Sequence, residues 1–441
     1  MAMSKLDKVL LTFRERLLSG FSWSVLSAVM MQGSVLISTV LVARTVGIES
    51  FGAYAILVST VMTASTVAQG CNGLVAAKYV AEFLKTDPAQ VARVLKMCST
   101  YTVGAGLAAT GVVFLSAEPL AIQLLGKPEI VSSVRLISMS ICFQMMVSFQ
   151  YGALQGFGAF HKISVVSAIA GPVYVISTFA GAWFAQGPGA VAGFVLANAF
   201  RAAAFGYALR AECITHGVPN KVKLNLRYFW RIAQFALPAS LAGFVTMPCQ
   251  WAVMALISRQ PDGLSLVAMF TVAHQIRLTV LQFPSLLNAV SFSVLSRLKE
   301  FKQANDFRRV FWANLTASLF FTILVVALLC LVAEQVLGLY GKNFVNGRWV
   351  VVILLFSVIP ETLATGFYQL IQSAGRMWES LFLITIPRDV LYPLLAALFL
   401  ADYGVPAAAV AYLVSSMFGF LATLLAVYWY ANIYIAHHKF Y

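Results

Sequence analysis

The sequence predicts an all-α polytopic membrane protein of twelve transmembrane helices, arranged as two related six-helix bundles. Three observations carry that prediction. The chain is 60% hydrophobic and 10% charged, whereas soluble domains carry about 25% charged residues. Its apolar residues run in blocks of about 20, the length a helix needs to cross roughly 30 Å of hydrocarbon. The second half also echoes the first at a shift of 215 to 217 residues.

Apolar blocks bounded by charge, glycine or proline place spans at 21–43, 52–77, 97–116, 133–155, 163–185, 189–209, 232–258, 264–294, 311–333, 349–372, 379–400 and 406–430. The implied division is a cytoplasmic segment over 1–20, a first bundle over 21–210, a basic linker over 211–231, a second bundle over 232–430 and a tail over 431–441. An even number of spans leaves both termini on one side. Of the thirty Lys and Arg, twenty-one fall in the termini and the connectors of that side, six in the connectors and adjoining span edges of the other, and three, Arg201, Arg277 and Arg388, well inside spans. Translocating basic residues is unfavourable, so both termini are expected in the cytoplasm. No apolar stretch with a small-residue cleavage site opens the chain.

The net charge of +14 does not point to nucleic acid, because the basic residues sit in short connectors between apolar blocks. The clusters Lys221, Lys223, Arg227, Arg231 and Arg297, Lys299, Lys302, Arg308, Arg309 read as topology signals that also touch anionic headgroups. Six scattered cysteines without CxxC spacing imply neither disulfides nor a metal site.

The repeat is legible in polar and glycine positions. Val42-Ala43-Arg44 with Gly47 returns as Ile257-Ser258-Arg259 with Gly263, Gly126-Lys127 as Gly341-Lys342, and Asn72 as Asn288. In the fourth and tenth spans Gln144, Ser148, Tyr151, Gln155 and Gly158 return as Glu361, Thr365, Tyr368, Gln372 and Gly375. Both halves start from the same side, so the repeat is parallel, about an axis along the membrane normal. Transporters commonly bind substrate between such halves.

Ala43-Arg44-x-x-Gly47-x-x-x-Phe51-Gly52-x-Tyr54, Leu154-Gln155-Gly156-Phe157-Gly158-x-Phe160 and Phe270-Thr271-Val272-Ala273 resemble the polysaccharide-flippase (Wzx-like) branch of the multidrug/oligosaccharidyl-lipid/polysaccharide (MOP) exporter superfamily. The resemblance covers almost the whole chain. It implies a V-shaped pair of six-helix bundles, as in the multidrug MATE branch, in a bacterial inner membrane. It implies a flippase that carries an undecaprenyl-diphosphate-linked oligosaccharide, an O-antigen, exopolysaccharide or capsule unit, to the outer leaflet by alternating access. Membrane lipids, a polysaccharide polymerase and a chain-length regulator are the partners so implied; no cofactor is, beyond coupling to H+ or Na+. The two extra spans of peptidoglycan-precursor flippases are missing, which speaks against a lipid II role.

A diphosphate with a hydrated sugar cannot enter hydrocarbon unaided, so polar stripes on apolar spans mark the candidate path. In the eighth span Thr271, His274, Arg277, Ser285 and Asn288 share about a third of the helix circumference, with Pro284 as a point where the register can bend. Arg277 is the leading candidate for the diphosphate, because guanidinium matches phosphate oxygens with a rigid fork of donors; a structural pairing with another helix is the alternative. His274 is either a titrating group or a satisfied interior histidine. In the tenth span Glu361, Thr365, Tyr368 and Gln372 share a face, and Glu361 is a candidate proton or cation carrier or a partner of Arg277 or Arg388. Arg388 and Asp389, either a structural charge network or further ion-coupling candidates, follow Pro387 in the eleventh span and, pointing about 100° apart, need not pair with each other. Arg201 either faces the path or snorkels. Gln32, Gln69, Asn72 and Gln250 suit sugar hydroxyls or interhelical hydrogen bonds.

No P-loop, HExxH or nucleophile elbow is present in the sequence, so no enzyme is expected. A drug/cation antiporter remains the first alternative, although mid-span charge leans basic. A membrane polymerase or ligase is the second and a non-transporting scaffold the third.

Overall fold

A computed structural model describes the backbone of residues 5–219, 222, 226–300, 304–373 and 376–438. Side chains are described within these from Trp23 onward, except at 24, 223–239, 289–290, 292–307, 373 and 430–438. The basic side chains Lys221, Lys223, Arg227, Arg231, Arg297, Lys299 and Lys302 lie outside the described residues, as do Gly375 and the terminal side chains.

Regular structure among the described residues is helical. The long helices are α1 (Lys5–Gln69), α2 (Asn72–Phe83), α3 (Pro88–Leu115), α4 (Val131–Gly156), α5 (Phe160–Thr215), α6 (Leu226–Ser258), α7 (Gly263–Glu300), α8 (Ala304–Leu331), α9 (Arg348–Ser373), α10 (Ile386–Tyr403) and α11 (Val405–His438). Among the described residues, ten helical stretches are long and apolar enough to cross a membrane. Two of them, Val25–Gln69 and Phe160–Thr215, are 45 and 56 residues long, about twice what one crossing needs. Each is interrupted by non-helical backbone, at Gly47 in α1 and at Ala185–Gln186 in α5. Ten stretches with two such breaks are compatible with twelve spans. Large apolar side chains such as Leu115, Phe184 and Leu331 point outward, as a lipid-facing surface requires.

Local sequence explains where these helices begin and bend. Asp87 caps α3, its carboxylate accepting from the Ala89 and Gln90 amides at 3.0 Å, with Pro88 at the first helical position. The break in α1 falls on Gly47 because its φ of 81° is left-handed backbone that a Cβ disfavours. Pro284 does not break α7, yet Ser285 leaves the polar stripe: it is exposed, and its hydroxyl bonds back to the Leu281 carbonyl.

The chain divides into two compact units. The first comprises 1–38, 64–116 and 133–237. Its core gathers Val75, Val80, Val94, Leu154 and Phe205. Oil on oil gives helices little reason to associate inside a membrane, so small residues and hydrogen bonds do more. Ser27 bonds Ser167 and Ser38 bonds Thr178, both at 2.7 Å. A Cβ on Gly73 would sit 2.8 Å from the Ser148 carbonyl, and one on Gly152 would overlap the Gly73 carbonyl. Helices α2 and α4 therefore meet backbone to backbone.

The second unit comprises 39–63, 117–132 and 238–441, and it accounts for the first shared motif. Phe51 and Tyr54 are buried, and a Cβ on Gly52 would overlap the Leu264 carbonyl. Arg44 Nε donates to the Leu339 carbonyl at 2.5 Å, and Arg259 Nε donates to the Leu124 carbonyl at 3.0 Å. Leu339 follows Leu124 by the same 215 residues that separate Arg259 from Arg44. Each half thus lends an arginine to the equivalent carbonyl of the other.

A second pair of contacts repeats in the same way. Asn72 Nδ2 donates to the Cys98 carbonyl at 3.0 Å, and Asn314 Nδ2 donates to Asn288 Oδ1 at 2.8 Å. Both members of the second contact follow those of the first by 216 residues. The sequence echo is therefore also an echo of packing.

Candidate functional site

The second unit encloses a cavity of about 390 Å³ whose wall carries Gln250, His274, Arg277, Glu361, Arg388 and Asp389. Four helices supply them. Thr246 and Gln250 come from α6, His274 and Arg277 from α7, Glu361 from α9, and Arg388 and Asp389 from the first turn of α10. Helix α11 closes the wall with Tyr412, Ser415 and Ser416.

Arg277 stands at the centre. It is 1% exposed, among the largest fully buried side chains. Its Nη1 donates to Glu361 Oε2, its Nη2 meets His274 Nε2 at 2.8 Å, and its guanidinium lies 4.3 Å from the Tyr412 ring centroid. Guanidinium has only donors. His274 Nε2 must accept, so His274 is a neutral imidazole with its proton on Nδ1. Tyr412 also donates to Glu361 Oε1 at 3.5 Å, and Tyr392 packs edge-on to Tyr412 with centroids 5.1 Å apart. Arg277 Nε is buried without a partner among the described residues.

A second ion pair lies in the same wall. Arg388 Nε donates to Asp389 Oδ1 at 2.7 Å, and Thr246 donates to Asp389 Oδ2. Adjacent helical positions diverge by about 100°, so spacing alone does not require the two to pair. The long arginine stem closes that gap: it lies along Gly419, where a Cβ would come 2.6 Å from Arg388 Cδ.

The candidates divide between the units. Gln250 lines the cavity. Asn288 is buried and donates to Thr365 Oγ1 at 3.3 Å while accepting from Asn314; it braces the wall without lining it. Gln32, Gln69, Asn72 and Arg201 belong to the first unit. There Asn72 is engaged between helices, with the Cys98 carbonyl and with Thr102 Oγ1 at 2.6 Å. Arg201 touches Asn198 Oδ1 at 3.4 Å, and its Nε is buried without a partner among the described residues.

Sequence reading passed over Tyr412, Tyr392 and Thr246. A signal for the first existed: Tyr412, Ser415, Ser416, Gly419 and Thr423 recur at three- and four-residue spacing on one face of the last span. Nothing comparable marks Tyr392.

The second-half character of this charge is visible in the repeat. At a shift of 216, Arg277 and His274 correspond to Val61 and Val58; at 217, Asp389 corresponds to Pro172 and Glu361 to Gln144. The charged wall was built in one half alone.

A sequence model of a family described as "Polysaccharide biosynthesis protein" matches residues 17–299. No curated protein sequence matches the chain. Among solved structures, an inward-facing multidrug-resistance MATE family transporter of the MOP superfamily superposes with a TM-score of 0.80 at 17% identity, over 92% of this chain and 94% of that one. A MOP superfamily transporter from Pyrococcus furiosus, described as having a binding pocket of reverse polarity, gives 0.68 at 16% identity over 95% and 96%. The lipid II flippase MurJ in an inward closed conformation gives 0.70 at 17% identity over 92% and 87%. The fold is that of the MOP exporters.

Proposed function

The chain belongs to the polysaccharide biosynthesis protein family, and from that premise we propose that it is a flippase for a lipid-linked saccharide. Its cargo in this reading is an undecaprenyl-diphosphate-linked oligosaccharide, moved from the cytoplasmic to the outer leaflet of a bacterial inner membrane by alternating access. Both termini are cytoplasmic, and a polymerase and chain-length regulator act on the product.

One observation favours this over a drug/cation antiporter. The two carboxylates of the cavity, Glu361 and Asp389, are each held by an arginine. A cationic drug needs an available carboxylate, and these two are occupied. An anionic diphosphate needs donors, and guanidinium supplies them in a fork that fits phosphate oxygens. The likeness to a lipid II flippase supports the same kind of cargo.

In this reading the Arg277–Glu361 pair is the coupling element. A proton arriving on Glu361 removes its charge and frees the Arg277 donors for a phosphate oxygen of the cargo. Loss of that proton restores the pair and releases the cargo. Coupling resides in the second half, since Gln144 at the matching position cannot ionise. Gln32, Gln69 and Gln250 provide amides for sugar hydroxyls.

The deciding experiment uses purified protein in vesicles holding a fluorescent prenyl-diphosphate-linked sugar. Outward movement accelerated by a proton gradient, with no efflux of a cationic dye, is expected. Dye efflux without lipid movement would make the chain an antiporter.

A further inference from the structure

Three arginines lie deep in the spans, away from their edges, and the structure treats them unequally. Arg277 and Arg388 are neutralised by Glu361 and Asp389. Arg201, in the second part of α5, has no carboxylate within ion-pair distance among the described residues. Its one hydrogen bond among the described residues, Nη1 to Asn198 Oδ1, is 3.4 Å long, beyond the usual range for N–H···O. Asn198 is itself fully buried and spends its amide on the Phe194 carbonyl at 2.9 Å. The buried Tyr174 is near enough to interact with the guanidinium, but a phenol does not neutralise it. Arg201 Nε is sealed from solvent with nothing to bond among the described residues. Arg201 as a whole is partly exposed, although its Nε is not.

A charge kept among packed helices without a counter-ion is unfavourable. It persists where a ligand supplies the missing charge. The ligand must be an anion, must enter from within the membrane protein, and must accept from a fork of N–H groups. A phosphate ester meets all three conditions.

We propose that Arg201 is a phosphate seat in the first unit, and that it takes the diphosphate of a prenyl-linked cargo. This rests on the flippase reading above and divides the labour within it. Arg201 holds the anionic head constitutively, whereas Arg277 is available to phosphate only when Glu361 lets go.

The same phosphate chemistry is offered by an anionic phospholipid headgroup, so the test separates the two. Full-length protein in nanodiscs of neutral lipid is titrated with farnesyl diphosphate, then again with phosphatidylglycerol included. Binding by the native protein, weakened about tenfold or more in Arg201→Ala, partly retained in Arg201→Lys and unaffected by phosphatidylglycerol, is the expected result. Complete displacement by phosphatidylglycerol makes Arg201 a bulk-lipid contact and overturns the assignment. Equal binding by the native protein and Arg201→Ala also overturns it while leaving the cargo intact. If the native protein binds no prenyl diphosphate at all, the flippase reading fails along with it.

Thermal unfolding gives a second readout that needs no ligand. Arg201→Leu should unfold at the native temperature or higher, because it removes an uncompensated charge. A clear fall would reveal a structural partner and remove the reason for a ligand.

Discussion

Arg277 reaches from α7 to the Glu361 carboxylate on α9, 84 residues later in the chain, with 2% and 18% of the two side chains exposed. Each member makes the other tolerable. Removing one leaves its partner buried and unpaired, at about 3–5 kcal/mol. Replacing both by apolar residues of similar volume removes that penalty. Arg277→Met and Glu361→Leu should therefore each lower the unfolding temperature in detergent, and the double variant should recover most of the loss. A double variant as unstable as the two singles combined would show that the pair is not a unit.

Glu361→Gln tests the coupling role separately from stability. The amide keeps the volume and can still accept from Arg277, but it cannot gain or lose a proton in the working range. Transport by this variant should become indifferent to an imposed proton gradient while the folded yield stays near native. Undiminished acceleration by the gradient would move coupling away from Glu361.

The reciprocal arginines make a matched prediction. Arg44 and Arg259 satisfy equivalent carbonyls, at Leu339 and Leu124, and both are exposed. Arg44→Ala and Arg259→Ala should each cost about 1 kcal/mol, the scale of a net hydrogen bond, and the two losses should be of similar size. Lysine at either site should restore only part, since it lacks the planar fork. A loss at one site and none at the other would mean the symmetry is geometric and carries no energy.

Glycine positions separate tight packing from helix propensity. Gly152→Ala places a methyl into the Gly73 carbonyl, and overpacking of that kind costs about 1–3 kcal/mol. Gly104, in α3, has nothing within 4 Å of an added Cβ. Gly104→Ala should stabilise its helix by up to about 1 kcal/mol. Comparing the unfolding temperatures of the two variants checks both statements.

Much of the fold was legible because membrane helices announce themselves by length and apolarity. The spans at 163–185 and 189–209 run into one long helix in the structure, yet the break at Ala185–Gln186 falls between them. The echo of Asn72 in Asn288 was legible too, and became a shared contact with the third and ninth spans. Polar stripes found the wall of the cavity: His274, Arg277, Glu361, Thr365 and Tyr368 all line it. Gln372 and Ser285, on the same stripes by spacing, are exposed, since a helix longer than the cavity carries its polar face past the end of it.

Spacing along one helix states which residues look the same way, and hydropathy states that the helix lies in lipid. Membrane class, repeat and polar faces therefore followed from the chain alone. Which helix a face meets is a matter of three-dimensional packing, with no sequence period to report it. Only the tertiary structure decided that Arg277 takes Glu361, that Arg388 turns back on its neighbour Asp389, and that Arg201 meets no carboxylate among the described residues.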